Sequence, residues 1–171
     1  MIATRTLTWR QFNALTGATS EKDMAEQNKI LSFQTGKEHY TAEACIVWCY
    51  DDRFTKLLEE FVKSRGYKDY DLIKLAGGAK SLAAPESEAE RLFVLKQIRT
   101  SINLHHALKV ILMCHEDCGA YGGKKAFGGD EDEKNKICGD LHEAVHILQN
   151  NLPKEVEVEM IFADFDGIEK A

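Results

Sequence analysis

The segment ACIVWCYDDR, residues 44–53, joins an apolar run to a charged end. Residues 44–49 are all apolar, and a short run of this kind is typical of a strand that is buried on both faces. The predicted strand ends at Cys49, and Asp51 and Arg53 follow directly. A thiol, a carboxylate and a guanidinium therefore stand at the carboxyl end of a buried strand.

Helices and strands are predicted to alternate outward from this segment. Hydrophobic spacing predicts helices over residues 21–33, 54–64, 86–108 and 133–150, and further strands over 71–75, 109–114 and 156–165. The helix over 86–108 is expected to bury one apolar face, made of Leu92, Leu95, Ile98, Ile102 and Leu108. The alternation favours a three-layer αβα fold around a mostly parallel central sheet of four or five strands.

The domain organisation is predicted to be simple. The 171 residues contain no internal repeat and only two prolines, so one domain over residues 1–171 is expected. Within it, residues 1–43 are interpreted as an N-terminal helical arm and residues 44–171 as the α/β core.

Composition excludes two classes of partner and indicates a compartment. The formal net charge is −6 with no cluster of basic residues, which argues against nucleic-acid binding. There is no apolar run long enough to span a membrane and no pattern of a secretory signal at the start. A cytoplasmic protein with reduced cysteines is therefore expected.

A second polar segment follows the strand over 109–114. His115 comes directly after this strand, and Cys118 and Gly119 follow three and four residues later. Because neighbouring parallel strands lie about 5 Å apart, His115 and Cys118 would meet Cys49 if the two strands are neighbours. Two thiolates and one imidazole suit Zn²⁺, and three protein ligands leave a fourth position open, as in catalytic zinc sites. One zinc ion per chain is predicted.

The remaining cysteines and histidines are interpreted as packing or surface residues. Cys45 and Cys114 are expected to be buried apolar groups, while Cys138, on the following helix, stays open as a further ligand. His142 and His146 are spaced four apart, as metal ligands can be, but no third ligand accompanies them.

Asp51 and Arg53 are predicted to act as a pair beside the metal. A carboxylate next to zinc competes with water for the open position, and a bidentate arginine would hold that carboxylate back. The alternative is a surface ion pair that happens to follow a strand.

Together, the two segments resemble the motifs of the β-class carbonic anhydrase family. That family carries Cys-x-Asp-x-Arg after its first core strand and His-x-x-Cys-Gly after a later one, and here these motifs stand at residues 49–53 and 115–119. Residues 75–78 are similar to the family's Asn-Ala-Gly segment, and residues 162–167 are similar to its closing strand and turn. The resemblance covers roughly residues 44–167.

The resemblance implies a specific activity and assembly. Zinc would be held by Cys49, His115 and Cys118, with water or Asp51 as the fourth ligand. A zinc-bound hydroxide would hydrate carbon dioxide reversibly to bicarbonate and a proton, which makes the protein a carbonate dehydratase, a lyase. The family forms homodimers or higher multiples of dimers, in which N-terminal helices embrace the partner.

Three other hypotheses remain open at the level of sequence. One is hydrolysis of COS or CS₂ on the same scaffold, because Leu75, Glu116 and Ala120 depart from the family's pattern and leave the substrate open. Another is a zinc-binding relative without catalysis, against which the presence of both Asp51 and Arg53 argues. The third is a thiol or redox protein that uses Cys49 and Cys118.

Overall fold

The computed structural model describes residues 29–171. The chain divides into two units, Met1–Glu38 and His39–Ala171. Of the helix predicted over 21–33, residues 21–28 lie outside the described part, and residues 29–33 are not helical. Ile30, Leu31 and Phe33 are exposed, and a short helix that buries no apolar face is not stable in water. The division into an arm over 1–43 and a core over 44–171 stays a prediction.

The second unit is built around one five-stranded sheet. Its strands follow the order β2-β1-β3-β4-β5, and all neighbouring pairs are parallel except β4 and β5. The strands are β1 Cys45–Cys49, β2 Asp71–Leu75, β3 Lys109–His115, β4 Glu157–Ala163 and β5 Ile168–Lys170. This arrangement confirms the predicted mostly parallel sheet.

Four helices cover the two faces of the sheet: α1 Thr55–Arg65, α2 Lys80–Ala83, α3 Glu88–His105 and α4 Asp130–Asn151. Alternate residues of β1 belong to separate cores, because successive side chains of a strand point to opposite faces. Cys45 and Val47 pack with residues of α2, α3 and α4, whereas Ile46 and Trp48 pack with residues of α1. The result is the expected three-layer αβα sandwich. No helix of residues 29–171 is long and apolar enough to cross a membrane.

The apolar face predicted for α3 is only partly correct. Val94, Leu95 and Ile98 are buried, whereas Leu92 is 57% exposed and Leu108 is 59% exposed. The buried stripe follows the 3.6-residue helical repeat, and Leu92 falls outside it. Leu108 lies beyond the helix, which ends at His105 with His106 in a left-handed conformation.

A glycine turn after β2 packs closely against the carboxyl ends of the neighbouring strands. Gly78 has φ of +56°, and a Cβ atom added there would lie 2.2 Å from the carbonyl oxygen of Met113 and 3.2 Å from the backbone nitrogen of Cys49. The backbone of Gly78 therefore packs directly against the ends of β1 and β3. Only glycine allows both this conformation and this approach.

Candidate metal centre

Three potential metal ligands converge at the carboxyl edge of the sheet. Cys49 is the last residue of β1, His115 is the last residue of β3, and Cys118 lies in the loop that follows. Their ligand atoms all lie within 4.8 Å of one another, and all three residues are buried. Because β1 and β3 are neighbours in the sheet, residues 66 positions apart meet as the strand-end pattern predicts. Among residues 29–171, this is the only group of three His, Cys, Asp or Glu side chains that could hold one ion.

The His115 ring is oriented so that one nitrogen is free for a metal. Its Nδ1 donates to the backbone carbonyl of Glu116 at 2.7 Å, and its ring packs against Phe54 with centroids 4.3 Å apart. This hydrogen bond leaves Nε2 as the nitrogen with a lone pair, as it does in many zinc sites. Nε2 is buried and has no hydrogen-bond partner. An unpartnered imidazole nitrogen beside two thiols fits a soft or borderline cation such as Zn²⁺.

The two cysteine sulfurs lie 4.0 Å apart and influence each other's ionisation. The hydrogen bond from Cys118 lowers the pKa of the Cys49 thiol. The same contact, together with burial, raises the pKa of Cys118, because a second negative charge would stand beside the first. The pair thus readily loses one proton, and a bound divalent cation is what would favour loss of the second.

Arg53 holds Asp51 next to these ligands. The Nε and Nη2 atoms of Arg53 donate to the two carboxylate oxygens of Asp51 at distances of 2.7–3.1 Å. Hydrogen bonds from Arg53 are the main reason why the pKa of Asp51 lies below its usual value. Asp51 Oδ2 is 4.0 Å from Nε2 of His115. The structure therefore brings the two residues of the predicted pair together, with the carboxylate beside the candidate metal ligands.

An open cleft of about 460 Å³ leads to the two sulfurs. Cys49, Cys118 and Asp51 contribute polar groups to its lining, and the small residues Ala76, Gly77 and Ala120 contribute to its walls. A small molecule can therefore reach the sulfurs and the carboxylate from solvent.

The other candidate ligands do not join the site. Cys45 and Cys114 are buried, and burial raises the pKa of each thiol to about 12. Cys138 is outside the ligand group, and His142 and His146 are exposed on α4. Their interpretation as packing or surface residues agrees with these positions.

Sequence reasoning missed two acidic residues that shape the site. Asp117 has φ of +50° and bonds to Arg53, and the buried Glu133 of α4 accepts a hydrogen bond from the backbone nitrogen of Asp117 at 2.8 Å. Asp and Asn are enriched among non-glycine residues with positive φ, so an Asp between two ligands was a weak signal of this loop conformation. Nothing in the sequence indicated that Glu133 turns inward.

Comparison with known proteins gives a family match and a relative of similar sequence. The sequence pattern of a family described as "Putative carbonic anhydrase" matches residues 39–168. An uncharacterized protein of Rickettsia bellii (strain RML369-C) is 23% identical over 153 residues, which cover 85% of this chain and 93% of that protein.

Solved structures show the same fold. The carbonic anhydrase of Streptococcus mutans superposes with a TM-score of 0.55 at 14% identity, covering 97% of this chain and 99% of that one. The tetrameric β-carbonic anhydrases of Sordaria macrospora provide a match with a TM-score of 0.54 at 14% identity, covering 77% of this chain and 81% of that one.

Proposed function

The chain belongs to this carbonic anhydrase family, and from that premise we propose that it is a zinc enzyme for the reversible hydration of carbon dioxide to bicarbonate and a proton. The observation that carries the proposal is the buried, unpartnered Nε2 of His115, which lies beside two buried thiols and the Arg53-bound Asp51. A purely structural zinc site needs no such carboxylate, and it usually has four protein ligands.

Cys49, His115 and Cys118 would hold one zinc ion per chain. Zinc in such a site supplies a Lewis acid that lowers the pKa of a coordinated water. The two thiolates would neutralise the ion's charge, so this effect should be weaker than in a site made of three histidines. The carbonyl of Glu116 fixes the His115 ring in the orientation that this ligand set requires.

Asp51 and Arg53 would orient the reacting water and leave the open metal position free for it. Arg53 occupies both carboxylate oxygens of Asp51, which restrains the carboxylate from taking the open metal position. In that place Asp51 can accept a hydrogen bond from a water in the cleft and direct its lone pair toward a small substrate. The small side chains of the wall leave space for carbon dioxide, and the opening of the cleft lets the proton leave to solvent.

The open cleft favours carbon dioxide over CS₂ or COS as substrate. A narrow apolar channel is the feature that would select such sulfur compounds, and the described residues instead form a cleft that opens to solvent and includes Asp51 and Asp52. Leu75, which departs from the family's pattern, packs against the core on the side of α3 and α4.

We place the protein in the cytoplasm as a homodimer or a higher multiple of dimers. Five unpaired cysteines fit a reducing compartment. The structural match to tetrameric enzymes and the exposed apolar side chains of α3 support self-association.

Stopped-flow measurement of carbon dioxide hydration tests the proposal. Zinc-loaded protein at about pH 8.5 should hydrate carbon dioxide well above the buffer rate. Alkaline pH is chosen because two thiolate ligands lower the pKa of the coordinated water less than three histidines would. The same protein stripped of metal by a chelator is the control and should be inactive. Absence of turnover in protein that carries one zinc per chain would contradict the proposal.

A further inference from the structure

Arg53 is bonded to two carboxylates that lie on two different loops. In the loop after β1, its Nε and Nη2 atoms donate hydrogen bonds to the carboxylate of Asp51. Toward the β3 loop, Nη1 donates to Asp117 Oδ2 at 2.8 Å and Nη2 donates to the Asp117 carbonyl at 3.0 Å. All three nitrogens of the guanidinium therefore have acceptors, and the arginine links the loop of Cys49 to the loop of His115 and Cys118.

Asp117 is itself held in place from several directions. Its backbone nitrogen donates to Glu133, and its Oδ1 accepts a hydrogen bond from the backbone nitrogen of Lys124 at 3.0 Å. Its φ of +50° turns the chain so that the side chain and the carbonyl both meet Arg53. A non-glycine residue in this conformation needs such support, and here the hydrogen bonds supply it.

The second carboxylate matters because much of the Arg53 side chain is open to solvent. The Arg53 side chain is 44% exposed, and water competes for its donors at that exposure. One face of the guanidinium is covered by the ring of Phe165, whose centroid lies 5.3 Å away. The contacts with Asp117 add a second anchor, which opposes rotation of the guanidinium away from Asp51.

We propose that Asp117 is a positioning residue that keeps Arg53 on Asp51 and thereby keeps the Asp51 carboxylate off the metal. This role rests on the proposed zinc site and adds a third residue to the Asp51–Arg53 pair. Without the Asp117 side chain, Arg53 releases Asp51 more often. Asp51 Oδ2, already 4.0 Å from Nε2 of His115, then competes for the open position.

Substitution of Asp117 by glycine isolates the side chain. Glycine adopts the positive φ without strain and keeps the backbone contacts with Glu133 and Arg53, so Asp117→Gly removes only the carboxylate. Asp117→Asn keeps a neutral acceptor and should give an intermediate effect. Asp69→Asn, at an exposed carboxylate before the amino end of β2, is the matched control for the loss of one negative charge.

The readout is the visible absorption of protein loaded with Co²⁺ in place of zinc, together with turnover of the zinc form. Asp117→Gly should bind one Co²⁺ per chain but show a changed spectrum, because a carboxylate replaces water at the ion. Its kcat should fall roughly tenfold, as is usual when a residue that orients a metal-site group is lost, with a smaller change in KM. In an Asp51→Ala background, adding Asp117→Gly should leave the Co²⁺ spectrum unchanged.

Two outcomes would overturn the inference in different ways. A wild-type spectrum and wild-type turnover in Asp117→Gly would show that Asp117 does not position Arg53, and would leave the proposed function intact. A spectral change that persists in the double variant would show that Asp51 is not the group that reaches the metal. Failure of the wild-type protein to bind Co²⁺ or to hydrate carbon dioxide would instead remove the proposed function on which the inference rests.

Discussion

Cys49 and Asp51 stand two residues apart at the same cleft, but their substitution should have different consequences. Cys49→Ser or Cys118→Ser removes a thiolate from a three-ligand set, so each variant should purify without stoichiometric zinc. Asp51→Ala leaves the ligands in place, so it should keep one zinc per chain and lose most turnover. Elemental analysis and stopped-flow kinetics on the same preparations separate the two effects.

Normal carbon dioxide hydration by Asp51→Ala would contradict the role assigned to the Asp51–Arg53 pair. Full zinc content in Cys49→Ser would contradict the ligand set. Ser64→Ala removes a hydroxyl on α1 that donates to the Phe61 carbonyl. This variant controls for zinc lost during purification, and it should keep its zinc.

Gly78 and Gly66 provide a second prediction at this scale. Both have positive φ, but a Cβ atom at Gly66 would meet nothing within 4 Å, whereas at Gly78 it would collide with the backbone of Met113. Gly66→Ala should therefore lower the free energy of unfolding by about 1–2 kcal/mol, the usual cost of a left-handed alanine. Gly78→Ala should cost more than about 3 kcal/mol, because strands β1 and β3 must also shift.

Urea unfolding of both variants measures this difference. Equal destabilisation of the two proteins would show that the close approach of Gly78 to Met113 is absent in solution.

The residues of the candidate site could be predicted to different degrees from the sequence. Cys49, His115 and Cys118 follow buried strands, and parallel strands that are neighbours bring their carboxyl ends together. Asp117 and Glu133 were not predicted, because their contacts depend on a left-handed loop residue and on the inward turn of a helix start.

At the scale of elements, the amino end of β2 is tied to the carboxyl end of α3 by Asp71. Its carboxylate accepts from Tyr40 Oη at 2.6 Å and from His105 Nδ1 at 2.9 Å. Burial alone would raise the pKa of Asp71, but the nearby Ser101 hydroxyl and the hydrogen bonds from Tyr40 and His105 outweigh it and lower the pKa below the usual value. The ionised form of Asp71 thus stabilises the fold.

The stability that Asp71 contributes should depend on pH in a defined direction. A carboxyl whose pKa is lowered by folding stabilises the protein above its unfolded pKa of about 3.9, and this contribution is lost as the pH falls through the folded pKa. Asp71→Asn should therefore cost about 1–2 kcal/mol at pH 7, and the difference from wild type should shrink below about pH 4.

Denaturant unfolding at several pH values measures this dependence, with the exposed Asp69→Asn as the control. A difference between Asp71→Asn and wild type that stays constant down to pH 3 would refute the assignment.

Element boundaries were predicted well where the elements are long or strongly apolar. The strand over 71–75 was predicted with its observed ends, and the other strands and helices predicted after residue 43 were located with shifts of at most a few residues. The helix predicted over 21–33 is the exception, because residues 29–33 are not helical and residues 21–28 lie outside the described part. Helix α2 and strand β5 were missed, because four and three residues are too few to show a period. Their positions depend on packing against α4 and pairing with β4 rather than on local sequence.

At the scale of the whole molecule, α3 and the segment after it expose several large apolar side chains. Leu92, Phe93, Leu104 and Leu108 are each more than half exposed. If these side chains form one contiguous patch, such a patch marks an interaction site in a soluble protein. The protein should therefore sediment at a multiple of its 19.3 kDa chain mass, and Leu104→Lys should shift the distribution toward smaller species.

Analytical ultracentrifugation over a range of protein concentrations measures the mass. A species of 19.3 kDa at every concentration would contradict self-association.

The pairing of β1 with β3 also determines when the candidate site can exist during synthesis. Its three candidate ligands come from residues 49 to 118, so the ribosome must add 69 residues after Cys49 before the complete set is present. Until then Cys49 is present on the nascent chain without the two other members of the set. A metal held by all three residues would therefore be captured only after β3 has been made, and its binding would report that the centre of the sheet has assembled.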